Sequence, residues 1–426
     1  MNCKVIFIIT FAPLYKNFEK LPRPDVNIDT PDGQWVGFWG KDWGNQVGDH
    51  IRKYHPEVQF EVWQPDFRAD KVYSHTFESG VTHRLFPALS QRGEIFSETL
   101  LSDLEELAAN STERLIIQVN GRQSLLLAAI LSRLAHRVPV LTQFLGALDF
   151  IDANFDFRVW RWPKRIAQKN ALLEFIREKQ KYILIAGGLP LESAFREKIA
   201  TPGHLIFSQH TIGLPDSYFH NGSKDKEELR KKWSIPSENK VFLSSSRLVP
   251  LKQIDKIVKA FGQGQMRAAT LLITGAGPQT YVDTVKRLIE KQDADIRFLG
   301  FVSEEELLEC HYLSDVFIDA SVNDGGPIAG WKAMAMNLGV ITTATGNVGT
   351  FLKQHNAGVI IPKKEVKRWA EVLQQIASGQ LEVRRIPVEK VRKVKSWLAC
   401  AENMMQIYQT TLQDHKAPER RLAVKN

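Results

Sequence analysis

Arg247 and Lys252, within Ser246-Arg247-Leu248-Val249-Pro250-Leu251-Lys252, place two cations between the close of one strand and the start of a helix. Arginine is permanently charged and forks onto phosphate oxygens, whereas lysine acts as a compact point charge. About 70 residues later, a spacing that fits neighbouring units of one α/β domain, comes Asn323-Asp324-Gly325-Gly326-Pro327, another strand end running into a helix. Gly325 and Gly326 are expected to offer amide N–H groups at that helix start, where the dipole favours an anion. Cations and bare amides are what a diphosphate needs, both to bind and to depart as a leaving group. Aimed at a departing diphosphate in a dry cleft, each cation lowers the barrier by roughly 2–4 kcal/mol. The competing reading is a strand-end Arg and a solvated Lys.

Asp324 has two readings as well: an acceptor for sugar hydroxyls that balances a developing oxocarbenium, or a helix cap. Gly275-Ala276-Gly277-Pro278 follows an apolar strand and precedes a helix. Its glycines allow close approach of a ligand, and Pro278 suits a first helical turn, but any strand-to-helix turn uses such residues.

To bring these loops together the chain must be α/β. Short β-branched runs alternate with helical patterns, which implies parallel sheets with right-handed crossovers. Expected strands are 5–10, 58–63, 114–119, 139–144, 182–186 and 204–208, then 240–245, 270–274, 296–300, 316–320, 340–343 and 358–361. Expected helices are 45–54, 94–109, 122–136, 164–180, 191–199 and 224–233, then 253–261, 279–291, 303–313, 328–336, 348–355, 365–378 and 388–412. A Gly- and Pro-rich stretch, 201–223, separates the halves. The reading is an N-terminal Rossmann-like domain over 1–212, a second over 213–395, and a terminal helix and tail over 396–426. Facing one another, the two carboxyl-end crevices form a cleft.

A chain of 426 residues exceeds the roughly 250–300 at which single cores stop growing. Its net charge of +8 and pI near 9.2 suit an anionic partner without choosing among phosphate substrate, membrane surface and nucleic acid. Cys3, Cys310 and Cys400 are too scattered for a disulfide framework or a metal set, so a reducing compartment is expected. The apolar stretch 5–12 is too short to span a bilayer and lacks a cleavage site, so it reads as a buried first strand.

Taken together, Arg247 and Lys252, the 275–278 turn, Phe298-Leu299-Gly300-Phe301-Val302, and Asp324-Gly-Gly-Pro with Lys332-Ala333-Met334-Ala335 resemble the family 4 retaining glycosyltransferases, which have the B-type two-Rossmann fold. The resemblance is specific over about 240–412 and architectural in the N-terminal half. It implies that Arg247 and Lys252 hold a donor diphosphate, with Ser246, Gly275 and Gly277 close by. Phe301 and Val302 line the base pocket. Asp324 stands at the first acid of the family's Glu-x7-Glu signature, and Gly325, Gly326, Pro327 and Ile328 serve the sugar and phosphate. The donor is a nucleotide diphosphate sugar, and neither a separate cofactor nor a metal is expected. Two departures stand out: Lys332 occupies the place of the second, ribose-binding acid, and Thr142-Gln143-Phe144-Leu145-Gly146 lacks the family's N-domain histidine. Charged lysine accepts no hydrogen bond from a diol. Lys332 is then a third cation near phosphate or a solvated side chain.

On the acceptor side, Trp39-Gly40-Lys41-Asp42-Trp43-Gly44 precedes the first N-domain helix. The resemblance implies that this loop, with Gly40 and Asp42, faces the acceptor and the donor phosphate; Gly40 and Gly44 allow close approach, and Trp39 or Trp43 either stacks on a sugar or anchors the loop. His75, His83, Arg84 and Asp149 lie near the same edge, with none marked as a base. Residues 157–165 alternate bases with aromatics ahead of a partly amphipathic helix carrying Lys169, Arg177, Lys179 and Lys181, so that 157–181 has the composition of an interfacial anchor, although a solvated basic helix with buried tryptophans is the plain alternative. The expected partners are a nucleotide sugar, a glycan or lipid-linked acceptor and an anionic membrane surface, with no nucleic acid. The expected location is cytoplasmic, peripheral on the inner face of the membrane. The rivals are a catalytically silent binding subunit and a nucleotide-sugar epimerase.

Overall fold

Runs such as Val5-Ile6-Phe7-Ile8-Ile9 are apolar on both faces, which suits strands sandwiched between helix layers. In the computed structural model the described residues are 2–11, 24–91, 94–121, 124–144, 171, 174–175, 178–186, 189–198, 200–219, 225–264, 266, 268–322, 324–362 and 365–423. The N-terminal strands are β1 (Cys3–Ile9), β2 (Val26–Asp29), β3 (Trp35–Phe38), β4 (Val58–Asp66), β5 (Tyr73–Thr76), β6 (Thr82–Pro87), β7 (Leu89–Gln91), β8 (Glu94–Phe96), β9 (Leu115–Asn120), β10 (Val140–Phe144), β11 (Tyr182–Ile185) and β12 (Leu205–Phe207). Eight of them form one sheet in the order β12-β11-β10-β9-β1-β4-β6-β5, parallel except for β5. The first strand is therefore central and buried.

The other four form two hairpins, β2–β3 and β7–β8, which periodicity alone does not predict. A turn signal was present for the first, since Pro31-Asp32-Gly33 separates its strands and Gly33 takes a left-handed φ of 77°. The helix expected from residue 94 starts instead at Glu98, because Ser97 caps it through Leu100 N at 3.2 Å and residues 94–96 pair as a strand.

The C-terminal strands are β13 (Lys240–Ser245), β14 (Ala269–Thr274), β15 (Asp295–Gly300), β16 (Val316–Asp319), β17 (Gly339–Thr343) and β18 (Val359–Ile361). They form an all-parallel sheet in the order β15-β14-β13-β16-β17-β18. Apolar clusters cover both faces. The order reverses between β13 and β16, so a crevice opens at their carboxyl ends.

The last expected helix is two helices, Val388–Lys395 and Trp397–Ala423, broken where Ser396 turns extended and bridges to Leu214. The second helix packs Trp397, Met404, Ile407 and Leu412 into the core of the N-terminal sheet. Tyr408 donates to Gln118 Oε1 at 2.6 Å, and Gln118 donates to Gln143 at 2.6 Å and to Asn120 at 2.9 Å. The two chain crossings between the halves also lie together. Buried Lys395 donates from Nζ to the Ile212 carbonyl at 2.7 Å, and Leu214 N donates to the Lys395 carbonyl at 2.7 Å. Burial pushes the Lys395 ammonium below its ordinary pKa. Among the described residues no helix is long and apolar enough to cross a membrane.

A Cβ on Gly213 would lie 2.6 Å from Trp397 Cα, whereas one on Gly203 would meet nothing closer than 3.9 Å. Gly213→Ala is expected to cost about 1–3 kcal/mol through overpacking. Gly203→Ala should stay within about 0.5 kcal/mol of the native chain. Denaturant midpoints of the two variants check both.

Candidate functional site

Lys252 reaches the crevice from a 3-10 turn, Pro250–Lys252, that follows β13. The next residue, Gln253, adopts φ 52° and ψ 36°, a left-handed conformation that costs a non-glycine residue roughly 1–3 kcal/mol. That turn brings Lys252 inward, leaving it only 8% exposed. Its ammonium is bonded to Asp324 Oδ2, on the loop that leaves β16. The two loops are also joined by Val322 N donating to the Leu251 carbonyl at 3.0 Å.

Asp324 uses its other oxygen to accept from Gly326 N at 3.0 Å. The amide expected to be bare at Gly326 is therefore occupied, because an Asp two residues earlier closes an Asx turn onto it. Both carboxylate oxygens of Asp324 are engaged. Pro327, buried, and Ile328, 39% exposed, begin the following helix Ile328–Ala335. Gly325 is buried, and its carbonyl accepts from Asn347 N at 3.2 Å.

Arg247 is exposed, and its side chain makes no ion pair or hydrogen bond among the described residues. Neighbouring Ser246 is half-buried. Gly275 and Gly277 pack against this same loop: a Cβ on Gly275 would strike the Ser246 carbonyl at 1.8 Å, and one on Gly277 the Leu248 carbonyl at 1.9 Å. Leu248 N donates to the Ala276 carbonyl at 2.8 Å, and Gly275 N donates to the Gly300 carbonyl at 2.7 Å. Loop stitching thus accounts for both glycines. Phe301 stands at this edge with 55% of its surface exposed, and Val302 is partly exposed.

Lys332 is not a solvated side chain. Its Nζ bonds Glu304 Oε1 at 2.7 Å and sits 4.5 Å from the Tyr218 ring centroid. Tyr218 donates to the same Glu304 oxygen at 2.7 Å. Burial pushes the Glu304 carboxyl up, but Lys332 and Tyr218 outweigh it and hold the pKa below the ordinary value. The cation at 332 brings a carboxylate with it from the helix Glu304–Leu313.

Asp319, the last residue of β16, escaped sequence analysis because one acid after three apolar residues carries no motif. It is 6% exposed. Its Oδ1 accepts from Ser321 N at 3.2 Å and from the Ser321 hydroxyl, while its Oδ2 has no hydrogen-bond partner among the described residues. Burial pushes its pKa up, opposed by the field of Lys252.

The N-terminal edge is more structural than expected. Asp42 caps the helix Trp43–Tyr54, accepting from Gly44 N at 3.3 Å, and burial raises its pKa. Gly40 N donates to Asp25 at 2.6 Å. Trp43 packs edge-on against Phe7 with ring centroids 5.0 Å apart, so the anchoring reading holds for it. His83 is buried beside Asn45 at 3.0 Å, and burial drives its pKa to about 3. Arg84 lies 3.5 Å from Glu61 and 3.7 Å from Asp103. Gln143, in the stretch 142–146 where the resemblance expects a histidine, is buried and donates to Thr211 at 2.7 Å. Asp149 and the basic-aromatic stretch 157–165 lie outside the described residues, as does most of the expected helix 164–180. Lys181, at the end of the basic segment, is paired with Asp414 at 2.6 Å.

Between the halves lies a cavity of about 250 Å³, lined by Ala186, Ser208, Gln209 and His210 on one side and Asn347 and Thr350 on the other. Asn347 donates to the Ala186 carbonyl at 3.1 Å and accepts from Trp331 Nε1 at 2.9 Å. The sequence carries one Asp-x-Asp triplet, Asp293-Ala294-Asp295, which lies at the amino end of β15, where Arg297 holds Asp295 at 2.8 Å. The amino ends of a parallel sheet face away from its carboxyl-end crevice.

Residues 225–394 match the family model "Glycosyl transferases group 1". The chain is 23% identical over 325 residues to a GDP-mannose-dependent monoacylated alpha-(1-6)-phosphatidylinositol monomannoside mannosyltransferase of Corynebacterium glutamicum, covering 60% of this chain and 84% of that protein. Two further relatives are matched over only 45% and 48% of their length. Among solved structures, sucrose-phosphate synthase from Thermosynechococcus elongatus superposes with a TM-score of 0.68 at 15% identity, over 97% of this chain and 100% of the other. Anabaena HepE in complex with UDP gives 0.67 at 13% identity, over 96% and 100%. The family model is thus matched across the second sheet, and the two-Rossmann architecture is matched over nearly the whole chain, so the chain has the B-type glycosyltransferase fold.

Proposed function

We propose that the chain transfers a glycosyl unit, with retention of anomeric configuration, from a nucleoside diphosphate sugar to a hydroxyl of a glycan or glycolipid. The observation that carries this reading is the meeting of Lys252 and Asp324 at the switch point between β13 and β16, with exposed Arg247 on the same loop as Lys252. In this reading Arg247 and Lys252 receive the diphosphate and stabilise it as it departs. Phe301 stacks on the base, and Asp324 turns to the transferred sugar. The departing phosphate takes the acceptor proton on the same face, so no separate base is assigned. Positive side chains, rather than a divalent ion, neutralise the leaving group.

The relative from Corynebacterium supports a glycolipid acceptor by its name, and the UDP in HepE supports a nucleoside diphosphate in this fold. The same support extends to work at the surface of a membrane that carries the acceptor. The net charge of +8 suits an anionic surface of that kind.

A thermal-shift panel of UDP, GDP and their sugar adducts tests the reading directly. One donor at 100 times its Kd should stabilise the protein by about 2.7 kcal/mol, and no shift with any nucleotide would remove the enzymatic case. Arg247→Ala should lower kcat about 10²–10³-fold. Because Arg247 is exposed and unbonded, the melting temperature should stay unchanged.

Lys332→Met removes the ammonium beside Glu304 and keeps an aliphatic stem over Tyr218. Glu304 has a depressed folded-state pKa, so its contribution to stability is present above the unfolded value and is lost as pH falls through the folded one. The variant should therefore be less stable than the native chain at neutral pH. Acid titrations of the melting temperature should show that gap narrowing below the ordinary glutamate range.

A further inference from the structure

One buried carboxylate oxygen at the site has nothing to bind. Asp319 Oδ2 is buried without a hydrogen-bond partner among the described residues, although the Oδ1 of the same group accepts twice from Ser321. The charged groups whose fields reach it are Lys252 and Asp324, both on loops at the same sheet edge. Its neighbours on β16, Val316, Phe317 and Ile318, are apolar and buried, and Ala320 follows. For stability alone an apolar residue would serve better here, because an unsatisfied buried acceptor is destabilising. Such a local conflict is the mark of a working position.

Two acids, Asp319 and Asp324, thus lie at the sheet edge where Lys252 sits, and in this structure Asp324 holds it. A donor sugar needs Asp324 for its hydroxyls, and Asp324 has no oxygen to spare while Lys252 and Gly326 occupy both. Pulling Asp324 away would strand a buried ammonium, unless another acceptor takes over. We propose that Asp319 is a positioning residue: its free Oδ2 accepts Lys252 when Asp324 turns to the sugar, so that the cation stays aimed at the diphosphate. The proposal deepens the transferase reading and rests on it.

Asp319→Asn tests the exchange, because a neutral amide keeps the shape and cannot hold the ammonium as a carboxylate does. UDP, GDP, UDP-glucose and GDP-mannose are titrated into both proteins. In the native chain the better sugar nucleotide should bind more tightly than its parent diphosphate. In Asp319→Asn that advantage should disappear while diphosphate affinity is kept, because Asp324 remains on Lys252. Slow hydrolysis of the same donor should fall about 10²-fold in kcat, the cost of a misplaced reacting group.

Stability separates this role from a packing one. A carboxyl whose folded-state pKa is raised above its unfolded value makes the native state bind more protons. Stability then falls as pH rises through the raised value, and Asp319→Asn should lack that fall. The variant should melt at or above the native temperature at neutral pH. Equal sugar-nucleotide preference in the two proteins, or a lower melting temperature with diphosphate and sugar nucleotide weakened alike, would overturn the proposal and leave the transferase reading intact. Failure of the native chain to bind any of the four nucleotides would overturn the reading and the proposal together.

Discussion

The site is organised around one partly buried ion pair, Lys252 with Asp324, across the point where the strand order of the second sheet reverses. Consecutive units of an α/β sheet are neighbours only if the chain builds outward from a shared centre. Here β13, β14 and β15 go one way, and β16, β17 and β18 go the other. The loops after β13 and β16 therefore flank a single crevice. A lysine buried there needs an anion, and the loop after β16 supplies one.

Burying that cation has consequences on both sides. A left-handed Gln253 tolerates a backbone conformation that a non-glycine residue seldom takes, and the 3-10 turn before it points Lys252 inward. Asp324 is held by the Gly326 amide, and position 326 has no room for a side chain because a Cβ there would lie 2.2 Å from Asn347 Oδ1, whose amide tethers the N-terminal half at Ala186. The donor-side loop and the interface between the halves thus share a residue. Opposite that contact, Gly213 admits Trp397, and buried Lys395 closes the second crossing onto Ile212.

Some positions read as ligand-facing in one dimension also carry the architecture. Asp42 caps a helix, Trp43 fills the core beside Phe7, and His83 is held neutral by burial. Gly275 and Gly277 make room for the Ser246 and Leu248 carbonyls. Conversely, a departure that looked disabling has a local partner, since Lys332 draws the Glu304 carboxylate to the place where a resident acid was expected.

Read alone, the sequence determined the α/β class, the twelve parallel strands of the two sheets other than the β5–β6 edge, and the loops that bear Arg247, Lys252 and Asp324. Those features rest on short-range physics: two-residue and helical periodicity, and glycine, proline and charge at strand ends. The β2–β3 and β7–β8 hairpins and the β5–β6 edge were missed because most of their strands mix polar with apolar residues, unlike the equally short but wholly apolar β12 and β18. Only the tertiary structure decided how the charges are shared. Lys252 meets Asp324 and Lys332 meets Glu304 through contacts 72 and 28 residues apart, and Asp319 joins them from within an apolar strand. Pairing of that kind depends on which loops a sheet order brings side by side and on how much water is left between them, and neither is written in local composition.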